Sequence, residues 1–282
     1  MKAGVNDLKL TDEDIEIKLM LEGIFLKYGY DFRNYSFAHI KRRVLHKAGM
    51  SNISCMSEMM RKVIYDKEFF YEILSEFSIN VTEMFRDASF FKALRKEVMP
   101  ALVTYPFIKI WHAGCSTGEE VYSMAILLKE EGLYDRCQIY ATDFNENALG
   151  KAKEGIYSAD SLKDFELGYK QAGGKGKFSD YYVSKRGALI FDNSLKERIV
   201  FAAHNLVTDG AFGEMNIIVC RNVLIYFNKE LQNRVIKLFY DSLSYSSFLC
   251  LGSKETVKFS KYDDLFDALN EKEKIFVKKI IS

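Results

Sequence analysis

The chain is poor in the residues that interrupt or cross-link structure: 282 residues carry two prolines, one tryptophan, four histidines and five cysteines. Cys55, Cys115, Cys137, Cys220 and Cys250 are scattered, with no C-x-x-C pair and no histidine at ligand spacing. A disulfide framework and a zinc site are therefore not expected, and the thiols are expected to be reduced and mostly buried. Charge of one sign is also missing: 40 Lys+Arg face 39 Asp+Glu, so no global field draws in nucleic acid or an anionic membrane. The longest apolar run, IIVCRNVLIYF, is broken by Arg221 and Asn222, and the first residues, MKAGVNDLKLTDEDIEIK, hold no signal-peptide core. The chain is expected to be cytosolic, without membrane insertion.

What remains is an ordinary globular composition, 48% hydrophobic and 28% charged, divided by periodicity. Before Pro100, runs such as IEIKLMLEGIFLKYG and MSEMMRKVIYDKEFFYEIL repeat apolar residues at helical spacing. Residues 1–98 are expected to be a helical domain. After Pro106, short apolar runs alternate with amphipathic stretches (FIKIWHA, EEVYSMAILLKEEG, QIYATD, NENALGKAKEG), and RIVFAAHN, NIIVCRN, SFLCLG and KIFVKKI continue the series. That order predicts an α/β doubly wound, Rossmann-like sheet over 99–282. The Gly-rich, short-alternating stretch at about 156–197 reads as a small antiparallel insertion containing Tyr181 and Tyr182 as strand residues.

The strongest local signal is WHAGCSTGEEVYSMAI, in which Gly114 and Gly118 flank a small polar turn between strand and helix. Ser116 and Glu119 have capping-box spacing, and Val121, Met124, Ala125 and Leu128 form the buried stripe. Glu119 is thus expected to be structural and Glu120 the freer carboxylate. Asp143 ends the next strand, where an acid can accept ribose hydroxyls. The turn is neither G-x-G-x-x-G nor a Lys-containing phosphate loop, so a nucleoside lacking a pyrophosphate suits it better. His204, Asn205 and Leu206 end one later strand. Arg221, Asn222 and Tyr226 follow another, at the carboxyl edge where such sheets bind ligands. Trp111 and His112 are expected to pack in the core.

Taken with N-x-T-x-x-F-R (Asn80, Thr82, Phe85, Arg86), the motifs AGCSTGEEVYS, ATDF, HNL and CRNVLIYF resemble, in order and spacing, the CheR-type chemotaxis-receptor glutamate O-methyltransferases. Met84 stands where that family usually has a phenylalanine. The resemblance implies S-adenosyl-L-methionine as cofactor, becoming S-adenosyl-L-homocysteine. It places the cofactor among Asn80, Thr82, Arg86, Gly114, Glu120, Asp143, Asn205, Leu206, Arg221 and Asn222, and implies a chemoreceptor, or a chemoreceptor-like signalling protein, as substrate. Arg86 and Tyr226 are the candidates for orienting the substrate carboxylate, with Arg86 equally able to clamp the cofactor's own carboxylate. A glutamate acceptor, of pKa about 4.3, is already ionised at neutral pH and needs no general base.

From Phe32 to Ser57 there is no acid, while Arg33, Lys41, Arg42, Arg43 and Lys47 give a local charge of +5. A basic helix face is expected, with His39 and His46 on it. The resemblance implies that it docks the acidic methylation helices of a receptor, with added contacts from the insertion. Two other readings stay open: a same-fold methyltransferase acting on another carboxylate, and a catalytically silent cofactor-binding module.

Overall fold

The computed structural model describes residues 10–78 and 82–280. Asn80 lies outside them. The chain forms two compact units, Met1–Ile79 with Tyr226–Leu231, and Asn80–Ile225 with Gln232–Ser282.

The first unit is helical: α1 (Asp12–Tyr28), α2 (Phe37–Met50), α3 (Met56–Tyr65) and α4 (Lys67–Phe77). A capping box starts α1, with the Asp14 N–H donating to Thr11 Oγ1 and the Thr11 N–H donating to Asp14 Oδ2. Gly29, at φ 79°, ends it. Asp66 caps α4 by accepting from the Glu68 and Phe69 N–H groups. The helices close over Ile24, Val44, Met59, Val63, Phe70 and Ile73, all 0–1% exposed.

The second unit opens with a continuous helical segment, α5 (Ala88–Ala93), a π turn (Leu94–Val98) and α6 (Met99–Leu102). Pro100 stands at the boundary expected from the sequence but does not divide domains; it sits in the first turn of α6, where a missing N–H is tolerated, and the backbone widens just before it. Leu94, Val98, Met99 and Leu102 belong to the core of the sheet unit. The division between units therefore falls between 79 and 80, not at 98.

The elements that follow are β1 (Ile108–Ala113), α7 (Glu119–Glu130), β2 (Cys137–Asp143), α8 (Glu146–Glu154), β3 (Ile156–Ser158), α9 (Leu162–Gln171), β4 (Tyr182–Lys185), β5 (Ala188–Phe191), β6 (Ile199–Ala203), β7 (Met215–Cys220), α10 (Lys229–Ser242), β8 (Leu243–Leu251), β9 (Phe266–Asn270) and β10 (Ile275–Lys278). The large sheet has the order β6-β2-β1-β7-β8-β10-β9. Its first five strands are mutually parallel, and β10 is antiparallel to both of its neighbours. Strand order reverses between β1 and β7, so the carboxyl ends of these strands form the crevice where a doubly wound sheet takes its ligand. β1 and β7 are buried almost throughout, as in a parallel sheet covered on both faces.

The insertion is the antiparallel sheet β3-β5-β4. Glu130, at the end of α7, ties it down by accepting from Arg95, Tyr169, Tyr181 and the Lys175 and Gly176 N–H groups. Tyr182 begins β4, whereas Tyr181 precedes the strand and sends its hydroxyl to Glu130.

Candidate active site

The turn after β1 is set by its hydrogen bonds. The Gly114 and Cys115 N–H groups both donate to the Thr142 carbonyl, at 2.8 and 2.9 Å, joining the ends of β1 and β2. Gly114 has φ 79°, and a Cβ there would stand 2.6 Å from Val223 Cγ2, so only glycine fits. Ser116 does not make the expected capping box. It adopts φ 51°, and its N–H donates to Asp143 Oδ2 at 2.9 Å, which closes the turn on the strand-end acid. Gly118 is the residue before α7, and the Thr117 hydroxyl donates to Glu119 Oε2 at 2.7 Å.

Asp143 is 7% exposed, and its other oxygen accepts the Asn145 N–H at 2.9 Å. Burial raises its pKa and the backbone N–H groups oppose that rise. With the Phe144 N–H as a third donor, the carboxylate keeps one lone-pair site beyond these bonds. Asn205 closes its own turn, its Oδ1 accepting from the Val207 N–H, and Leu206 is buried beside it. Trp111 and His112 are buried, the indole N–H donating to Thr142 Oγ1.

The expectation that Glu120 is the freer acid is overturned. Arg221, its side chain 2% exposed, reaches Glu120 Oε2 at 2.6 Å and Asp87 Oδ2 at 2.5 Å. It also donates to the Arg86 carbonyl at 3.3 Å and covers the Phe90 ring, 4.1 Å from its centroid. Burial pushes the Glu120 pKa upward, but the Arg221 charge, with His112 Nδ1 at 3.4 Å, outweighs it and brings the carboxyl down to about 2. Glu119 goes the other way: burial outweighs the Thr117 hydrogen bond and raises it to about 6. It stands on the wall of a cleft of about 610 Å³ with Thr82, Lys151, Tyr157 and Asp164.

The segment carrying Arg86 is strained. Phe85 and Asp87 have φ values of 54° and 55°, a conformation that costs roughly 1–3 kcal/mol per non-glycine residue and persists only where its surroundings enforce it. Here the Phe85 N–H donates to Ser123 Oγ at 2.9 Å, and its fully buried ring packs edge-on against Phe91 and Tyr169.

Glu255 carries no motif signal in the sequence. It is 4% exposed and accepts from four backbone N–H groups, those of Asn222 (3.0 Å), Val223 (2.8 Å), Ile225 (3.2 Å) and Gly252 (2.6 Å). Burial raises its pKa against the pull of these donors. It fixes the turn after β7, including Asn222 at φ 61°. An acid placed just past SFLCLG, the strand beside β7, is the only sequence trace of this role.

Tyr226 groups with the helical unit, where its carbonyl accepts the Ser36 N–H and His39 meets its ring edge-on. The five basic residues between Phe32 and Ser57 do not form an open +5 face. Arg33 pairs with Asp31 and Glu22, Lys41 with Glu13 and Asp14, and Lys47 with Glu72. The acid-free window is neutralised by α1, α4 and its own flank, which a count along the chain misses. Arg42 lies 3.4 Å from His39 Nδ1, and Arg43 Nε is buried without a partner among the described residues.

The rim suits an adenosyl sulfonium. Ionised Glu120 and buried Asp143 offer acceptors for an ammonium and for hydroxyls, and Arg221 Nε is buried without a partner among the described residues.

Two predictions follow from this geometry. Glu255→Ala leaves four N–H groups without their acceptor and should lower unfolding free energy in urea by about 3 kcal/mol or more, with a matching fall in S-adenosylhomocysteine affinity; a loss under about 0.5 kcal/mol contradicts the clamp. Glu119 has a folded-state pKa above its unfolded one, so its ionisation removes stability as pH rises from about 4.5 to about 6. Glu119→Gln should abolish that increment, leaving the variant more stable than wild type by up to about 2 kcal/mol at pH 7 and level with it near pH 4. Parallel melting curves at all pH values would refute the assignment.

Residues 80–275 match the family model described as "CheR methyltransferase, SAM binding domain". The chain is 52% identical over 265 residues to the "Putative methyltransferase Cher3" of Pseudomonas putida, covering 94% of this chain and 97% of that protein. It is 28% identical to a chemotaxis protein methyltransferase of Listeria monocytogenes (81% of this chain, 85% of that one). Its identity to a chemotaxis protein methyltransferase of Borreliella burgdorferi is 31% (67% and 69%). With the glycine turn, the strand-end Asp143 and the Arg221 pairing at the switch point of the sheet, these matches show that the chain belongs to the CheR methyltransferase family, whose cofactor is S-adenosylmethionine.

Proposed function

We propose that the chain methylates glutamate side chains of chemoreceptors in the cytoplasm, forming methyl esters. The observation that carries this reading is the strained Phe85–Asp87 turn, whose Arg86 carbonyl is locked onto Arg221 at the switch-point rim. A backbone strained at this point is maintained for position, and an arginine held there can align a carboxylate by paired hydrogen bonds.

When bound, S-adenosylmethionine supplies an electrophilic methyl group. The residues of the chain do the rest by placement and by shedding water around an acceptor that is already an anion at neutral pH. In this reading Asp143 takes the ribose hydroxyls, Asn205 and Leu206 meet the adenine end, and Glu120 and Asn222 face the amino-acid end with Thr82. Arg221 is a positioning residue, committed to Glu120, Asp87 and the Arg86 carbonyl. Of the five basic residues between Phe32 and Ser57, Arg42 and Arg43 are the two left to meet a receptor, since Arg33, Lys41 and Lys47 have acidic partners of their own. The chemotaxis names of the relatives support a receptor substrate.

The test is transfer of label from methyl-labelled S-adenosylmethionine to membranes of the host. Alkali-labile label on receptor bands is the expected result, and alkali-stable label contradicts an ester. Arg86→Ala should lower turnover by about 10²-fold or more with an unchanged circular dichroism spectrum; near-normal turnover removes Arg86 from the mechanism.

A further inference from the structure

His112 is next to last in β1 and 1% exposed, a place where the core takes apolar side chains. Its partners across the sheet are Ala141 on β2 and Val219 on β7. Paired residues share a face, and so does Ile110 two positions earlier in the strand, so the ring stands in a row of buried apolar side chains. None of them can hydrogen-bond an imidazole. Both ring nitrogens are buried without a hydrogen-bond partner among the described residues. An aliphatic side chain would fill this place without that cost, since an unsatisfied buried polar atom is destabilising. Packing does not explain a histidine here.

The polar side chain that approaches the ring is Glu120. Its Oε1 lies 3.4 Å from His112 Nδ1, long for a hydrogen bond, while Arg221 holds its Oε2 at 2.6 Å. The two oxygens are divided between two neighbours. The side chains of His112 and Arg221 are 1% and 2% exposed and that of Glu120 is 18%, so the carboxylate is the member of the three that is open to a ligand. Hydrogen bonds of a working site are often long before the ligand arrives and tighten in the complex.

We propose that His112 is a positioning residue for the cofactor: its neutral ring donates the Nδ1–H to Glu120 Oε1 and aims the carboxylate at the ammonium of S-adenosylmethionine, and its protonated ring competes with that ammonium. This rests on the reading that Glu120 faces the amino-acid end of the cofactor. With His112 neutral, Glu120 answers Arg221 and the ligand ammonium. With His112 charged, three cations meet one carboxylate, and the ligand is the one free to leave. Affinity therefore falls as pH falls through the titration of His112, in the range where histidines ordinarily change charge, about pH 5–8. The thiols around Glu120, those of Cys115, Cys220 and Cys250, are raised by burial and stay neutral there. The acids nearby are Asp87 on the far side of Arg221, Glu119, raised to about 6, and Asp143, also raised by burial. All three keep their titration when His112 is replaced.

The experiment is calorimetric titration of S-adenosylhomocysteine into the full chain across about pH 5–8, with melting temperatures recorded alongside. Wild type should lose affinity on acidification by up to about tenfold per pH unit. His112→Leu removes the donor and should bind about tenfold more weakly at the alkaline end, with a melting temperature equal to or above that of wild type. His112→Asn offers an amide nitrogen in place of Nδ1 and no titration; it should bind within about threefold of wild type at the alkaline end and lack the acid loss. Glu119→Gln should keep that loss. A residue that only packs would move the melting temperature and leave the pH profile alone.

The proposal is overturned if His112→Leu binds like wild type, if His112→Asn binds as poorly as His112→Leu, or if acidification weakens His112→Asn as it weakens wild type. Should His112→Leu not fold, the acid profile of His112→Asn decides alone. Glu120→Gln separates the proposal from the reading it rests on. If that variant binds like wild type, Glu120 is not at the ammonium end and both fall; if it binds poorly while His112→Leu is indifferent, the role of His112 falls alone.

Discussion

One buried guanidinium organises the candidate site. Arg221 leaves the end of β7 and meets Glu120 from α7, Asp87 and the Arg86 carbonyl from the segment before α5, and the face of Phe90. A charge so far out of water is tolerable only when paired, and removing one partner of such a set costs about 3–5 kcal/mol. The pairing explains three things together. It holds Glu120 ionised despite burial, it keeps an energetically poor backbone turn in place, and it joins the β1 and β7 sides of the switch point into one rim.

The remainder of the rim is built on the same logic, with backbone N–H groups converging on acids. Asp143 accepts from Ser116 and Asn145 and so fixes the glycine turn to β2. Glu255 accepts from four N–H groups and fixes the turn after β7 to the start of the β8 loop. Both acids order turns that have positive-φ residues in them, at Ser116 and Asn222. Order is created before any ligand arrives, and pre-organisation of this kind is what a displacement reaction with an anionic acceptor needs most.

Much of this was legible in the sequence, for physical reasons. The switch from strand runs to helical period around WHAGCSTGEEVYSMAI is local, so the chain announces its β1–α7 turn without tertiary help. The short alternating stretch that becomes β3, β4 and β5 is equally local. What stayed hidden depends on partners distant in sequence. Pro100 reads as a breaker, yet first-turn prolines fit helices, and α6 belongs to the core of the sheet unit. Glu119 and Glu120 are adjacent and chemically alike; only the arrival of Arg221, about a hundred residues later, assigns one the ion pair and the other the raised pKa. The basic window lost its open face to acids on packed helices, and Glu255 had no neighbouring residue to mark it.

The central claim is that Arg221 and Glu120 act as one unit in forming the cofactor site. It is tested most directly by calorimetric titration of S-adenosylhomocysteine into wild type, Arg221→Met, Glu120→Gln and the double variant. The account predicts binding by wild type, a loss of about tenfold or more in each single variant, and a double variant little worse than either, a coupling of about 1.5 kcal/mol or more. Losses that simply add, or a folded wild-type protein that takes up no ligand, would contradict it.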